Sequence, residues 1–370
     1  MIFPVSGFRA LFKRQYRMKP EYTYAAVLRE QGKPLSFERL KLPDLERGQV
    51  LVRIQYSTIC QSQVNEMMGF KGSDPYLPHT LGHEGAGVVV ATGPDVTRVS
   101  PDDRVILTWL KGSGISAKPA SYLSGNEQVN SGPVSTFLTY GVVSEDRLLS
   151  YGGLPDTEEA PLFGCAIPTA YGMLSKELEI EKHHRLAILG AGGIGLSALI
   201  LAKAMGVETV CAMDIRDESL ERAKNFGADF VLNTSDSAFN HRLKEIMPQG
   251  FDFAIEATGR PEVMELALKV VRNFGGRVLI AGNARKGELL RLDPYEFIRG
   301  KTISGSWGGG CSLEDVMPDL TALCREGRLP VQNMITHEVS LKNINEGFEL
   351  MLQGKGGRVR INHLEGADFE

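Results

Sequence analysis

The chain has 370 residues, of which 42% are hydrophobic and 23% are charged, and its formal net charge at pH 7 is −4. The length exceeds that of one ordinary hydrophobic core and predicts two domains. The slightly acidic balance gives no electrostatic basis for binding nucleic acid or an anionic membrane, so we expect neither as a partner.

Seventeen residues at the N-terminus differ in composition from the remainder. They contain four basic residues, no acidic residue and several aromatic residues. We interpret residues 1–17 as a basic extension, with Met18 opening the folded chain. An organelle-targeting presequence is the alternative, because such segments are also basic and poor in acids.

The first half of the chain reads as strands and turns. Hydrophobic residues alternate over residues 50–56, which is the period of a half-buried strand. Apolar runs at 87–91 and 105–107 predict two further strands, separated by turns rich in glycine, proline and aspartate. We predict an all-β, barrel-like first domain.

From residue 185 the pattern changes to alternating strands and helices. Strands are predicted at 185–189, 209–213, 230–232, 251–256 and 277–281, and helices at 194–205, 218–226, 239–246 and 262–271. This alternation implies right-handed crossovers and a doubly wound parallel sheet. After about residue 308 we expect two helices and a closing strand at 359–361 that pack on the first domain.

One uncharged stretch, residues 186–202, approaches the length of a membrane span. It contains four glycines and is flanked by Arg185 and Lys203. A strand, a glycine turn and a helix explain it better than a helix in a bilayer does. We therefore expect no membrane-spanning segment.

The glycines of this stretch form a recognisable turn. Gly190, Gly192 and Gly195 fit the pattern G-x-G-x-x-G, with Gly193 and Ile194 between the last two. Such glycines permit close approach of a pyrophosphate, and the following helix N-terminus offers free N–H groups and a positive dipole end. The sequence predicts a dinucleotide-binding site here.

An acidic residue follows the second strand of this half. Asp214 lies nineteen residues after Gly195, where a carboxylate would bind the adenosine ribose and repel a 2′-phosphate. Arg216 is the contrary indication, since a guanidinium could bind that phosphate. We give Asp214 more weight and predict NAD as the coenzyme, with Arg216 in the same site.

Five cysteines are scattered along the chain, at positions 60, 165, 211, 311 and 324. An odd number without short paired spacings is typical of a reducing compartment rather than of a secreted disulfide framework. The sequence therefore predicts a cytoplasmic protein.

Motifs over nearly the whole chain carry a family resemblance. Residues 82–87 and Gly93 match G-H-E-x2-G-x5-G, and further matches lie at 135–137, 164–172, 190–195 and 344–348. The sequence resembles the zinc alcohol dehydrogenases of the medium-chain dehydrogenase/reductase family. The resemblance implies an α/β protein with a GroES-like β-barrel catalytic domain, residues 18–166 and 309–370, and a Rossmann coenzyme domain, residues 167–308.

The resemblance also implies a metal site. By this match Cys60, His83 and Cys165 would bind one catalytic zinc, with the fourth position open to water or the substrate oxygen. Glu84 matches an acidic residue beside the metal, which tunes it or replaces a ligand. Residues 111–132 contain no cysteine, whereas the family's structural zinc needs four there. We predict one zinc per chain and no structural zinc.

Other roles follow from the same match. Ser62 stands where the family has a hydroxyl that takes the alcohol proton. Thr169 and Ile194 match positions that pack on the nicotinamide, and Arg358 matches an arginine that binds pyrophosphate. These roles complete the catalytic and coenzyme-binding assignments that the resemblance implies.

The substrate pocket is expected to include Asn65, Trp109 and Phe137, with Trp307 near the coenzyme cleft. Asn65 replaces the histidine that commonly ends the proton relay in the family, and an amide does not titrate near neutrality. Gln61 and Gln63 replace, respectively, a cation that contacts pyrophosphate and an acid that orients the histidine ligand. These departures leave rate, pH dependence and substrate class open.

The implied function is zinc-dependent hydride transfer between an alcohol and NAD, giving an aldehyde or ketone. The polar segment 111–130 suggests a polyol or sugar-like alcohol. Two alternatives remain: a zinc-free NAD(P)H-dependent quinone or enone reductase, and a catalytically silent structural relative. Residues 277–306 resemble the segment through which relatives dimerise, so we expect a homodimer, with a homotetramer as the alternative.

Overall fold

The computed structural model describes residues 20–152, 155–355 and 357–364. The predicted N-terminal extension, residues 1–17, lies outside these ranges. Within them, every helix is too short or too polar to cross a membrane. The uncharged stretch 186–202 forms a strand and a helix, as the sequence indicates.

The first part of the chain is built mainly of strands. Its strands are β1 (Tyr22–Leu28), β2 (Ser36–Lys41), β3 (Gln49–Ile59), β4 (His79–Thr80), β5 (Gly85–Thr92), β6 (Arg104–Leu107), β7 (Ser121–Ser124), β8 (Glu127–Asn130), β9 (Tyr140–Ser144) and β10 (Leu148–Ser150). A short helix, α1 (Gln61–Met67), follows β3 directly. This part therefore has the strand-rich character predicted for it.

The second part alternates between strands and helices. The strands are β11 (Arg185–Leu189), β12 (Thr209–Asp214), β13 (Phe230–Asn233), β14 (Phe253–Glu256), β15 (Arg277–Ile280) and β16 (Thr302–Gly305). The helices are α2 (Ala166–Gly172), α3 (Gly193–Ala204), α4 (Asp217–Asn225), α5 (Phe239–Ile246), α6 (Pro261–Val270) and α7 (Pro294–Ile298). The five strands β11–β15 and the four helices α3–α6 agree with their predicted bounds to within two residues, whereas α2, α7 and β16 were not predicted.

The closing segment has two helices and two strands, α8 (Leu313–Arg325), β17 (Ile335–Ser340), α9 (Ile344–Leu352) and β18 (Arg358–Asn362). Strand β18 runs antiparallel to β3, with Val359 opposite Ile59. The end of the chain thus completes a sheet begun some 300 residues earlier. The domain bounds predicted from the sequence stay a prediction.

Two sheets form the first part. Strands β1, β2, β7, β8 and β4 close into a small barrel, and the neighbouring sheet has the order β10-β6-β5-β3-β18-β17, with β9 also paired to β3. Because β3 pairs with β5, β9 and β18, it is buried at most positions, with Arg53 and Gln55 only half-buried. The half-buried strand predicted at 50–56 is therefore corrected to a central, largely buried one.

The second part is a six-stranded parallel sheet with the order β13-β12-β11-β14-β15-β16. The strand order reverses between β11 and β14, and in such sheets ligands bind at the carboxyl ends of the strands at that point. The GroES-like barrel and the doubly wound parallel sheet confirm the predicted fold class. The cleft discussed below opens at this reversal.

Candidate active site

Cys60 lies at the junction of β3 and α1. Its extended backbone, with φ −98° and ψ 150°, ends the strand and begins the helix. The Cys60 N–H donates a 2.7 Å hydrogen bond to Oε1 of Gln63, which occupies a free N–H of the first helical turn. This hydrogen bond helps to fix the thiol at the junction, where Cys60 is 9% exposed.

His83 lies in the turn between β4 and β5, directly after a glycine that this turn requires. Gly82 has φ +96°, and a Cβ there would meet the ring of Phe137 at 2.8 Å. A glycine is therefore needed for the chain to pass and present His83. The Nε2 atom of His83 is buried and has no hydrogen-bond partner among the described residues.

Cys165 follows a 3₁₀ turn, Ala160–Gly164, and precedes α2. A Cβ on Gly164 would lie 2.8 Å from Cβ of Glu84, so only glycine lets this turn approach the strand after His83. Cys165 is 6% exposed. Close backbone packing thus brings Cys165 to Cys60 and His83, which lie more than 80 residues earlier in the chain.

The three side chains form one cluster. One ligand atom each from Cys60, His83 and Cys165 lies within 4.8 Å of the other two. A hydrogen bond from the Cys165 thiol holds the pKa of Cys60 below its ordinary range, while the same contact and burial raise the pKa of Cys165. Two thiols and an unpaired imidazole nitrogen are a donor set that zinc prefers. The residues present therefore fit the predicted metal.

Glu84 is outside this cluster and pairs with Arg358. Nη1 of Arg358 lies 2.7 Å from Oε1 of Glu84, and their side chains are 3% and 0% exposed. Burial raises the pKa of Glu84, and the charge of Arg358 opposes this rise. Oε2 of Glu84 has no partner in the described part of the chain. Glu84 is thus beside the cluster, as predicted, while its observed partner is an arginine.

A cleft of about 600 Å³ runs past this pair to the glycine turn. Its lining includes Gly190, Gly192, Gly193, Ile194, Asp214, Arg216, Arg358 and Cys60. A Cβ on Gly195 would overlap the carbonyl oxygen of Gly190, whereas one on Gly192 would meet nothing within 4 Å. Gly195 therefore serves helix–strand packing, and Gly192 leaves the backbone open to a ligand.

Asp214 ends β12 at the edge of this cleft. Its carboxylate accepts hydrogen bonds from the N–H groups of Ala191, at 2.9 Å, and Arg216, at 3.0 Å. The Arg216 guanidinium donates to the carbonyl of Gly354 across the cleft. The acid is therefore held against the glycine turn, and the arginine joins the parallel sheet to the segment before β18.

A second cavity, of about 690 Å³, opens beside His83. Trp109 lies with its ring 6.5 Å from that of His83 and meets Trp307 edge to face at 5.4 Å. Trp307 is 83% exposed. A third cavity, of about 430 Å³, is also lined by His83 and by the buried Gln63. Ligand-sized spaces thus meet the metal-binding cluster on two sides.

Comparisons with known proteins agree with this geometry. The profile described as Zinc-binding dehydrogenase matches residues 193–326, and that described as Alcohol dehydrogenase GroES-like domain matches residues 46–155. S-(hydroxymethyl)glutathione dehydrogenase of Saccharomyces cerevisiae is 30% identical, covering 91% of this chain and 95% of its own length. The protein of that name from Photobacterium damsela subsp. piscicida is 28% identical, over 92% and 99%.

The chain belongs to the zinc-dependent alcohol dehydrogenase family. Among solved structures, benzyl alcohol dehydrogenase from Acinetobacter calcoaceticus is similar, with a TM-score of 0.83 and 26% identity over 93% of this chain and 99% of that one. Membership confirms the predicted class, an oxidoreductase of small-molecule alcohols and aldehydes. The zinc-free reductase and the silent relative are not favoured.

The residues predicted to line the substrate pocket have different surroundings in the structure. Phe137 is fully buried and packs edge to face on Phe348 at 6.1 Å, in the core behind the site. The prediction that Phe137 lines the substrate pocket is therefore corrected. Asn65 lines the coenzyme cleft together with Cys60, with its Oδ1 3.1 Å from Nε2 of Gln61. Trp109 lines the cavity beside His83. The substrate-pocket roles of Asn65 and Trp109 stay predictions.

Three further candidates have distinct surroundings. Ser62 is half-buried in the first turn of α1, and it does not line any of the three cavities described above. Thr169 is 6% exposed, and its Oγ1 lacks a partner among the described residues. Ile194 lines the coenzyme cleft. The roles expected of these residues stay predictions.

The sequence did not indicate a contact that spans the cleft. The Arg285 guanidinium stacks 3.8 Å from the ring centre of Phe70, and the Lys286 N–H donates a 2.9 Å hydrogen bond to the carbonyl of Phe70. Both Phe70 and Arg285 line the cleft. No local pattern identifies such a pair, because its partners are more than 200 residues apart in the chain.

Proposed function

We propose that the chain oxidises an alcohol to an aldehyde or ketone, and catalyses the reverse reaction, with NAD as the hydride carrier and zinc at Cys60, His83 and Cys165. The observation that carries this proposal is the position of the cluster. Cys60 lines the glycine-rich cleft, and His83 lines both cavities on the other side. Coenzyme and substrate can therefore meet at the metal ligands.

A zinc ion held by Cys60, His83 and Cys165 would act as a Lewis acid that polarises the substrate oxygen and lowers the pKa of the alcohol. The hydrogen bond from the Cys165 thiol is the main cause of the lowered pKa of Cys60, and the positive charge of Arg358 lowers this pKa further. The buried Glu84 in turn holds Arg358 in place. The charge of Arg358 thus favours the ionised state in which Cys60 binds metal.

Coenzyme binding is assigned to the cleft at the carboxyl ends of the strands. The pyrophosphate would lie at the N-terminus of α3, where Gly192 leaves room and a Cβ on Gly193 would collide with Arg358. Asp214 would accept hydrogen bonds from the adenosine ribose, because its carboxylate retains lone pairs beyond those already used. Its charge also disfavours a 2′-phosphate, which supports NAD rather than NADP.

The proton of the alcohol is assigned to the Ser62 hydroxyl. Asn65 then lies on the coenzyme side, hydrogen-bonded to Gln61. Because an amide does not titrate near neutrality, Asn65 cannot accept this proton. We assign the exit of this proton to the coenzyme ribose and to water in the cleft, and Asn65 would position the ribose and the water.

The substrate is assigned to the cavity between Trp109 and Trp307. With about 690 Å³, this cavity exceeds what a two-carbon alcohol requires. Aromatic faces suit flat or ring-shaped groups. We propose a polyol, a sugar-like alcohol or a ring-bearing alcohol. Benzyl alcohol and S-(hydroxymethyl)glutathione, named for the relatives, are comparison substrates.

Two copies of the chain are proposed to associate through β16, which lies at the end of the parallel sheet. An unpaired sheet edge is a ready site for strand addition. Large apolar side chains in the adjoining segments are exposed, namely Phe274, Leu289, Tyr295, Phe297 and Ile298. A dimer that covers them is expected, and Ile298→Glu should shift the mass in light scattering towards the monomer.

The test of the whole proposal is NADH formation with a panel of alcohols, measured beside the zinc content of the same sample. The wild type should reduce NAD and hold zinc, whereas Cys165→Ala should lose both. Cys211→Ala, at a buried cysteine outside the cluster, is the matched control and should keep both. Hydride transfer that survives the loss of zinc would instead favour a zinc-free reductase, and no transfer with any alcohol would favour a silent relative.

A further inference from the structure

A second group of potential metal ligands lies outside the site described above. Glu66 near the end of α1, and Asp74 and His79 in the segment that follows, each place one ligand atom within 4.8 Å of the other two. His79 is 7% exposed, and the Asp74 side chain is 9% exposed. These three residues are called the second triad below.

The hydrogen bonds of His79 indicate which of its ring nitrogens faces the two carboxylates of the second triad. Nδ1 lies 3.1 Å from the carbonyl oxygen of Thr80, which only accepts, so Nδ1 carries the hydrogen. Nε2 then faces Oδ2 of Asp74 at 2.7 Å and Oε1 of Glu66 at 3.9 Å. Nε2 and one oxygen of each carboxylate converge here, so a proton on Nε2 would be shared with Asp74 alone, whereas a divalent cation would be bound by all three atoms. A ring N–H held by a carbonyl is also the usual support of a metal-binding histidine.

Both carboxylates are oriented by donors on their outer oxygens. The Tyr76 N–H donates to Oδ1 of Asp74 at 2.9 Å, and the Lys71 ammonium lies 2.9 Å from Oε2 of Glu66. The remaining oxygen of each carboxylate is the one that faces His79. Lys71 also cancels one of the two negative charges. The triad is therefore pre-oriented but carries less charge than its ligands alone would give.

A buried amide lies beside the same cavity. Gln63, Glu66 and His79 line the cavity of about 430 Å³. Gln63 is 1% exposed, and its Nε2 has no partner among the described residues, although its Oε1 is used by Cys60. A buried amide donor requires an oxygen acceptor. Water ligands of a cation at the triad would supply one, and a cavity of this size has room for several.

We propose that Glu66, Asp74 and His79 bind a divalent cation, separate from the metal of Cys60, His83 and Cys165. One imidazole and two carboxylate oxygens suit manganese as well as zinc, whereas thiolates favour zinc strongly. The two positions therefore differ in preference. The proposal adds a second metal position to the single one expected from the cysteine pattern.

The test is a titration of the zinc-loaded protein with Mn²⁺ alone, with free Mn²⁺ followed by electron paramagnetic resonance. Among the first-row divalent metals Mn²⁺ has the lowest affinity for protein sites, and it does not displace zinc from thiolates. The site of Cys60, His83 and Cys165 therefore takes up no Mn²⁺ in this titration. The wild type should bind one Mn²⁺ per chain. No binding by the wild type would mean that a proton alone satisfies His79 and would overturn the proposal.

Variants locate the bound ion. Asp74→Asn and His79→Gln should each weaken Mn²⁺ binding by about tenfold or more, because each removes a ligand. Lys71→Gln should tighten it, since it removes a competing positive charge beside Glu66. Equal affinity in all three variants and the wild type would overturn the proposal. If Asp74→Asn and His79→Gln fail to fold, the Mn²⁺ affinity of Lys71→Gln alone tests the proposal.

Discussion

Arg358 and Glu84 form a buried ion pair between the metal-binding cluster and the coenzyme cleft, with 2.7 Å separating Nη1 from Oε1. On the cleft side, a Cβ on Gly193 would lie 2.8 Å from Nε of Arg358. The pair thus connects the two halves of the site. Because both groups are removed from water, each charge depends on the other for its stability.

The first prediction concerns this pair. Glu84→Gln should lower the free energy of unfolding by about 3 kcal/mol, because it leaves the buried Arg358 charge without its partner. The double variant Glu84→Gln/Arg358→Gln should lose less than the sum of the two single changes. Urea unfolding of the wild type, Glu84→Gln, Arg358→Gln and the double variant measures this coupling. Simple additivity would show that the pair is not coupled.

Coenzyme choice gives the second prediction. Asp214→Ser should raise kcat/KM with NADP relative to NAD by about tenfold or more, equivalent to at least about 1.4 kcal/mol, because it removes the charge that repels a 2′-phosphate. Steady-state rates with both coenzymes measure the ratio. Arg216→Ala in the Asp214→Ser background should reverse part of the gain. An unchanged ratio in Asp214→Ser would refute the role given to this acid.

The two aromatic residues expected at the substrate pocket now predict different outcomes. Trp109→Ala widens the cavity beside His83 and should change kcat/KM for bulky relative to small alcohols by about tenfold. Phe137→Leu alters only the buried core and should lower stability by about 1 kcal/mol with the same relative kcat/KM. Substrate panels and urea unfolding separate the two effects. A shift in alcohol preference in Phe137→Leu would restore it to the pocket.

Asp252 directly precedes β14, and its carboxyl predicts a pH dependence of stability. Burial raises the pKa of its carboxyl, but hydrogen bonds from Arg185, joined by Arg272, outweigh burial and lower the pKa to about 2. The unfolded value is near 3.8. A lowered pKa contributes stability that is present above the unfolded value and is lost as the pH falls towards 2.

Asp252→Asn should therefore lower the free energy of unfolding at pH 7 by on the order of 1–3 kcal/mol. The gap from the wild type should close as the pH falls from about 4 towards 2. Asp95→Asn, which breaks an exposed pair with Arg47, is the control and should have little effect at any pH. Denaturant unfolding over a pH series tests this, and a constant gap would contradict it.

Short stretches of sequence were sufficient to predict much of the fold and of the candidate site. The glycine turn before α3, Asp214 at the end of β12 and the motif around His83 depend on short-range requirements, such as positive φ at Gly190 and Gly82 and the position where a parallel strand ends. A few neighbouring residues express such requirements. The order of strands and helices from residue 185 to about 281 could therefore be predicted from the chain with bounds within two residues.

Long-range packing determined the rest. Phe137 and Trp109 are both aromatic residues in strand-rich sequence, yet the first packs on Phe348 in the core and the second meets Trp307 in a cavity. The same holds for Arg285 on Phe70, which are more than 200 residues apart in the chain. The sequence by itself determined the family, the fold class and the candidate zinc ligands, because these follow from local backbone geometry and ordered motifs. Only the tertiary structure decided which side chains face the cavities, because burial and partner choice depend on residues that are distant in the chain.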